Sequence, residues 1–203
     1  KHILYNPKHV LGSYKNAKEI PVRDYLHMVM HCVFKHMYMD PTLNRPYWDL
    51  ACDIAVENVI TELNLKAVTT PREQRQAQYI AAIKKELKHV TAEKIYAYLR
   101  QSVPDPKKAA EIRGLFYADN HEIWYMTAVE IEMRFGISAG SGSGEGAEDK
   151  DGAGMGARAG MAQVWQGISE RMQVDLETFG KQRGLNPGAM TQNLAAVNRE
   201  KYD

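Results

Sequence analysis

Cysteine, net charge and long apolar segments are all scarce in this chain of 203 residues. Its two cysteines are too few for the disulfide framework of a small secreted domain, so Cys32 and Cys52 are expected to be buried thiols. With 26 basic and 25 acidic residues the formal net charge is +1, which disfavours a broad nucleic-acid-binding surface. No apolar run approaches the roughly 20 residues of a membrane-spanning helix. These absences predict a cytoplasmic protein that binds neither nucleic acid nor membrane.

Hydrophobic periodicity predicts a mainly helical domain. Apolar residues recur at helical spacing over about 21–36 and again over about 47–63. Further helices are expected over about 71–90, 91–100 and 106–114 from their capping residues and prolines. Ile3 to Tyr5, in contrast, is predicted as a short strand that ends at Asn6-Pro7.

Glycine is concentrated in one stretch of the chain. Nine of the 15 glycines lie between Gly136 and Gly160, together with serine, alanine and acidic residues. Such a composition buries too little apolar surface to offset the entropy lost on ordering. The sequence therefore predicts a main domain over residues 1–135, a flexible glycine-rich linker or loop over 136–160, and a helical segment over 161–203. That last segment is expected to lead toward a C-terminal domain that this chain lacks.

His27 and His31 are the first candidates for chemistry. Residues four apart on a helix are neighbours, so both imidazoles can reach one ion. Neutral imidazole is a common zinc ligand, and this spacing is the metal-binding half of the HExxH motif. The alternative is a pair of partly buried, hydrogen-bonded histidines, and the spacing alone leaves both interpretations open.

A third ligand is expected from the next helix, which carries Asp53 and Glu57 one turn apart. Both carboxylates flank the apolar stripe of that helix, so they face the histidine pair if the two stripes pack together. The alternative is an acidic pair on a solvated helix face. Only a packed arrangement of the two helices would give a metal site.

The run from His27 to His36, followed by the run from Tyr47 to Ala55, resembles the metallopeptidase-type domain of bacterial proteins that also carry a von Willebrand A-like domain. The pattern of that family reads HE-x-x-H-x-x-x-x-H and then W-x-x-A-x-D. The resemblance covers residues 1 to about 135. It implies zinc as the cofactor, with His27, His31 and Asp53 as its ligands. It also implies an α+β fold that is mainly helical and zincin-like, with a small β-sheet containing Ile3 to Tyr5.

Met28 departs from the family pattern, which has glutamate next to the first histidine. In HExxH enzymes this glutamate is the general base, and methionine cannot transfer protons. The loss of general acid–base help lowers a rate by roughly 100- to 10,000-fold. Glu57 is the candidate substitute base, and Glu122 is a second carboxylate that could take this role.

Two further histidines belong to the same hypothesis. His36 lies five residues after His31, off the face of a regular helix that His27 and His31 share, and is expected to support the site or cap the helix rather than bind metal. His121 follows Asp119 and Asn120 and precedes Trp124, which resembles an Asp-x-His segment of the family. His121 is therefore a further candidate metal ligand, or a residue that orients substrate.

Three functions remain open from the sequence. The first is a metallopeptidase-like pseudoenzyme that binds zinc, has absent or weak hydrolytic activity, and recognises a peptide or protein. The second is an active zinc-dependent hydrolase that uses Glu57 as its base. The third is a metal-free helical adaptor. The resemblance also implies partners for the first two: a von Willebrand A-like domain and a MoxR-type ATPase.

Overall fold

The computed structural model describes residues 3–38, 40–137, 150–183 and 188–199, and this part of the chain is mainly helical, as the periodicity predicts. The α-helices are α1 (Pro7–Asn16), α2 (Glu19–Val33), α3 (Arg45–Leu63), α4 (Pro71–Glu86), α5 (Ala92–Ser102), α6 (Pro106–Phe116), α7 (Ala128–Phe135), α8 (Lys150–Arg183) and α9 (Gly188–Arg199). Short 3-10 helices cover His36–Tyr38, Lys66–Val68 and His121–Tyr125.

The predicted β-sheet is wrong for the described residues, which contain no strand. Ile3, Leu4 and Tyr5 precede α1 as irregular chain, and all three side chains are exposed. A strand needs a neighbour to pair its backbone groups, and the described part of the chain offers none. Residues with high β-propensity therefore remain outside regular structure here.

Helix α3 is the central element of the fold. Every residue from Tyr47 to Ile60 is buried, so this helix has no solvated face. The side chain of Asn44 caps its start by accepting a hydrogen bond from the backbone N–H of Tyr47, and Asn64 ends it in the left-handed conformation. Asp53 and Glu57 consequently lie inside the core, not on the solvated face that was the alternative for this acidic pair.

Two apolar clusters pack on opposite parts of α3. One joins residues of α3 such as Leu50 and Ile54 to α4, α5 and α6. The other joins Val56 and Ile60 to α2 and α9. Each fully buried aliphatic side chain contributes about 1.5–3 kcal/mol to stability. The site residues of α2 and α3 are therefore held between well-packed surfaces.

The C-terminal helices pack on the same body. Met190 and Leu194 of α9 are buried against the second cluster, and the backbone N–H of Ala189 donates to Glu62 Oε2 at 2.8 Å. Helix α8 begins at Lys150, within the stretch predicted as a linker, whereas residues 138–149 of that stretch lie outside the described residues. The division into three parts stays a prediction.

None of the helices that the structure describes combines the length and apolar character that crossing a membrane requires.

Candidate metal centre

Helix α2 presents His27 and His31 toward α3. The two imidazoles are 0% and 1% exposed, and their Nε2 atoms lie 2.8 Å apart. The helix places them there because its apolar residues Met30 and Val33 pack against α3 and α9. The two rings therefore converge in the structure, which their spacing in the sequence alone left open.

Asp53 of α3 joins the two histidines. Its Oδ1 lies 3.3 Å from His27 Nε2 and 3.4 Å from His31 Nε2. The three residues that the resemblance implies as ligands therefore meet at one point.

His121 and Asp119 complete the cluster from the segment that follows α6. His121 Nε2 lies 3.2 Å from Asp53 Oδ1 and 2.9 Å from Asp119 Oδ1. Asp119 Oδ1 in turn lies 3.7 Å from His27 Nε2 and 3.9 Å from His31 Nε2. All five ligand atoms lie within 4.8 Å of one another. The sequence had not identified Asp119, although its Asp-x-His spacing before Trp124 was a usable signal.

The arrangement fits a small divalent metal ion. A tetrahedral zinc ion with bonds of about 2.0–2.1 Å separates its ligand atoms by roughly 3.3 Å. Seven of the ten pairs of candidate ligand atoms lie 2.8 to 3.9 Å apart, and the whole set lies within 4.8 Å. Imidazole nitrogen and carboxylate oxygen are also the donors that such ions accept. We name the set His27, His31, Asp53, Asp119 and His121 the metal centre.

The chain matches a known family over almost its whole length. Residues 1–202 match the family described as "Putative metallopeptidase domain". The chain belongs to this family. The match extends beyond the predicted limit near residue 135 and includes the C-terminal helices, which agrees with their packing on the main body. No curated protein and no solved structure matches the chain.

Each of the three histidines of the metal centre is held through Nδ1, the ring nitrogen that faces away from the centre. His27 Nδ1 lies 2.8 Å from Glu57 Oε1, and His31 Nδ1 lies 2.9 Å from His36 Nδ1. His121 Nδ1 lies 3.5 Å from Asp49 Oδ1, and the ring of His121 stacks on Trp124 with centroids 3.7 Å apart. Partners of this kind fix the tautomer and orientation of a metal-binding histidine. A carboxylate can only accept, so Nδ1 of His27 donates to Glu57 and Nε2 is left to face the centre.

Glu57 is held away from the metal centre. Its Oε2 accepts hydrogen bonds from Nε and Nη2 of Arg23 at 3.1 and 2.8 Å, and Arg72 lies 3.4 Å from its Oε1. Burial raises the pKa of Glu57, but the hydrogen bond from His27 and the nearby arginines outweigh burial and lower the pKa to about 2. A carboxylate so acidic is a weak base near neutral pH. Glu57 therefore contacts Nδ1 of His27, whereas Nε2, on the opposite side of the ring, faces the other residues of the metal centre.

Charge within the metal centre favours a cation. Burial lowers the pKa of His27, but the carboxylates of Asp53 and Glu57 outweigh it and raise the pKa to about 9. Burial lowers the pKa of His31 to about 4, and the positive charges of His27 and His121 act in the same direction. The raised pKa of His27 favours its protonated form beside the carboxylates, whereas the lowered pKa of His31 favours a neutral ring. A metal ion supplies positive charge in one place.

The remaining sequence candidates lie outside this set of atoms. Met28 follows His27 on α2, is partly buried, and carries no group that can transfer a proton. Glu122 is exposed and pairs with Arg134 at 2.9 Å. His36, predicted to support the site, contacts His31 through the bond described above.

Proposed function

We propose that this chain is a zinc-binding metallopeptidase-like domain with absent or weak hydrolytic activity, which acts in peptide or protein recognition. The observation that carries this proposal is the meeting of three imidazole Nε2 atoms and two carboxylate oxygens within 4.8 Å. A shared cation would offset the desolvation of buried ionisable groups gathered at this density.

The residues divide into ligands and positioning residues. His27, His31, Asp53 and His121 supply four donors, and Asp119 supplies a fifth. Glu57, His36 and Asp49 fix the three rings. A zinc ion bound by such residues can polarise a carbonyl oxygen and make water more acidic. The likeness to zincins is limited to the histidine pair and the carboxylate from a later helix.

Weak or absent hydrolysis is supported by the donor count and by the missing base. Structural zinc sites are filled by protein ligands, whereas catalytic sites hold about three and keep one position open. Five protein donors exceed that number, and the side chains of four of them are at most 2% exposed. Met28 stands where the family has its proton acceptor, and Glu57 already binds Arg23 and His27.

Elemental analysis of protein purified without a histidine tag tests the proposal. We expect about one zinc per chain and none in His27→Ala, because each ligand of a structural site is needed for tight binding. His89→Ala is the matched control, since His89 is exposed and belongs to no cluster of candidate ligands among the described residues. A wild-type protein without metal would instead favour the helical adaptor.

Hydrolysis separates the pseudoenzyme from the active hydrolase. We expect a zinc-loaded wild type to cleave a peptide library only at the background rate. Cleavage by the wild type above background would overturn the pseudoenzyme, and its loss in a folded, zinc-loaded Glu57→Gln variant would favour the active hydrolase that depends on Glu57.

The partners are proposed from the resemblance alone. A von Willebrand A-like domain and a MoxR-type ATPase are the candidates for the protein that this domain recognises. Binding of each purified candidate to the zinc-loaded chain, measured by calorimetry, tests them separately.

A further inference from the structure

Asp119 differs from the other four residues of the metal centre. Their side chains are at most 2% exposed, whereas the side chain of Asp119 is 16% exposed. Asp119 also lies in irregular chain, between the end of α6 and the 3-10 helix that begins at His121. Of the five candidate ligands it is therefore the most accessible to solvent, and its position does not depend on a helix.

The four buried donors are enough to fill a tetrahedral metal site. Asp53 Oδ1 lies 3.2 to 3.4 Å from the Nε2 atom of each histidine in the metal centre, near the roughly 3.3 Å between ligand atoms of tetrahedral zinc. Asp119 Oδ1 lies 2.9 Å from His121 Nε2, but 3.7 and 3.9 Å from the Nε2 atoms of the other two histidines. Asp119 is thus a peripheral fifth donor, which an ion held by four others does not require.

Charge determines which kind of group could take the place of Asp119. Metal-bound imidazoles are neutral, so the four buried donors bring one negative charge, from Asp53. The nearby carboxylates of Glu57 and Asp49 have arginine partners of their own. A divalent ion among the four donors therefore has an excess of one positive charge, which the carboxylate of Asp119 cancels. An external carboxylate would cancel it equally, whereas a neutral amide carbonyl would leave a buried charge uncompensated, which is costly.

We propose that Asp119 is an exchangeable ligand of the metal centre and that it gives up its position to the carboxylate of a bound molecule. The C-terminus of a peptide and a small organic acid both carry this group. This inference rests on the proposed function, because it concerns the ion that the metal centre is proposed to bind. It gives the recognition role a chemical class of ligand and a place where that ligand binds.

Substitution with cobalt(II) tests the proposal, because tetrahedral cobalt(II) absorbs visible light several-fold more strongly than five-coordinate cobalt(II). We expect Asp119→Ala to bind about one cobalt(II) per chain and to absorb several-fold more strongly than the cobalt-loaded wild type. Acetate should bind saturably to this variant and return its spectrum toward that of the wild type. Glu111→Ala removes an exposed carboxylate of α6 that is outside the metal centre, and its spectrum should match that of the wild type.

Competition with Asp119 sets the affinity of the wild type for a carboxylate. A tethered group acts at an effective concentration of about millimolar or higher, so acetate should bind to Asp119→Ala at least tenfold more tightly than to the wild type. N-acetyl-alanine presents its carboxylate as a peptide C-terminus does. Binding of N-acetyl-alanine would assign the position to peptide ends, whereas binding of acetate alone would assign it to small acids. N-acetyl-alanine amide, which is neutral, should leave the spectrum unchanged.

Three results would overturn the exchange of Asp119: a folded Asp119→Ala that binds no cobalt(II), an Asp119→Ala spectrum equal to that of the wild type, or no saturable effect of acetate on this variant. Asp119→Asn keeps the shape of the side chain without its charge, so it serves if Asp119→Ala does not fold. It should also take up cobalt(II) and bind acetate more tightly than the wild type does, and failure of either would equally overturn the exchange. A wild type that takes up neither zinc nor cobalt(II) would instead overturn the proposed function.

Discussion

Met28 stands at the position where the resemblance predicts a general base. It is partly buried on α2, directly after a histidine of the metal centre. Its thioether has no capacity for proton transfer. The catalytic cost of this one residue can be measured by restoring the carboxylate.

Met28→Glu is expected to fold and to raise peptide hydrolysis above background. General-base help is worth at most about 100- to 10,000-fold, and turnover of a peptide library by the zinc-loaded variant measures it. Met133→Glu is the matched control, because Met133 is a helical methionine that is 83% exposed. No gain in zinc-loaded Met28→Glu would indicate that the number of protein donors, rather than the missing base, limits activity.

Glu57 belongs to the support of the metal centre and to the stability of the core. Arg23 is fully buried and binds Glu57 through two nitrogens, so neutralising Glu57 leaves Glu73 as its remaining carboxylate partner among the described residues. Glu57→Gln should therefore lower the free energy of unfolding by about 1–3 kcal/mol and zinc affinity by roughly 10–100-fold. Urea denaturation and zinc titration measure the two effects. Glu132→Gln, at an exposed position, should change neither, and an equal effect of both variants would contradict this role.

At the scale of elements, the end of α2 brings His36 to the metal centre. The helix stops at Val33, and Lys35 adopts the left-handed conformation with φ of 56°. The chain then reverses into the 3-10 helix His36–Tyr38. This turn explains how a residue five positions after His31 reaches it, which a regular helix does not allow.

Lys35 offers a test of this turn. Lys35→Gly should leave stability unchanged or raise it by up to about 1 kcal/mol, because glycine adopts positive φ without steric cost. Lys35→Val should lower it by about 1–2 kcal/mol, since a β-branched residue disfavours this conformation. Both variants lose the bond to Gln166, so the pair isolates the backbone effect. Equal unfolding free energies of the two variants would contradict it.

Some of these helices and site residues can be predicted from the sequence, and others cannot. Helical periodicity correctly predicts α2 and α3, and the spacing of His27, His31 and Asp53 suffices to propose their meeting. The termination of α2 before Lys35 is not predictable, because lysine is no signal for a left-handed residue. Asp119 and His121 meet residues more than 60 positions earlier, and helical periodicity does not encode such contacts. The sequence proposed His121 only through the resemblance of its Asp-x-His segment to the family pattern. The prediction of a strand at Ile3–Tyr5 is wrong because β-propensity does not specify a neighbouring strand to pair with.

The C-terminal helices are part of the folded body. Leu194 of α9 is 0% exposed and packs in the cluster that holds α2 against α3. Leu194→Ala should lower the free energy of unfolding by about 2–5 kcal/mol, measured by urea denaturation. Val174→Ala, at a side chain that is 62% exposed, should change it little. A negligible effect of Leu194→Ala would mean that α9 does not contribute to this core.

The metal centre joins three parts of the molecule: α2, α3 and the segment that holds Asp119 and His121. An ion bound by all three would stabilise the fold by about 2.7 kcal/mol when its free concentration is 100 times its dissociation constant. We therefore expect nitrogen and oxygen donors from distant segments of the chain to share one metal ion.

X-ray absorption at the zinc edge of the tag-free protein measures these ligands. We expect a nitrogen and oxygen shell at about 2.0–2.1 Å, with the outer-shell scattering of about three imidazoles. A sulfur shell near 2.3 Å, which would implicate Cys32 or Cys52, or protein that carries no zinc at all, would contradict it.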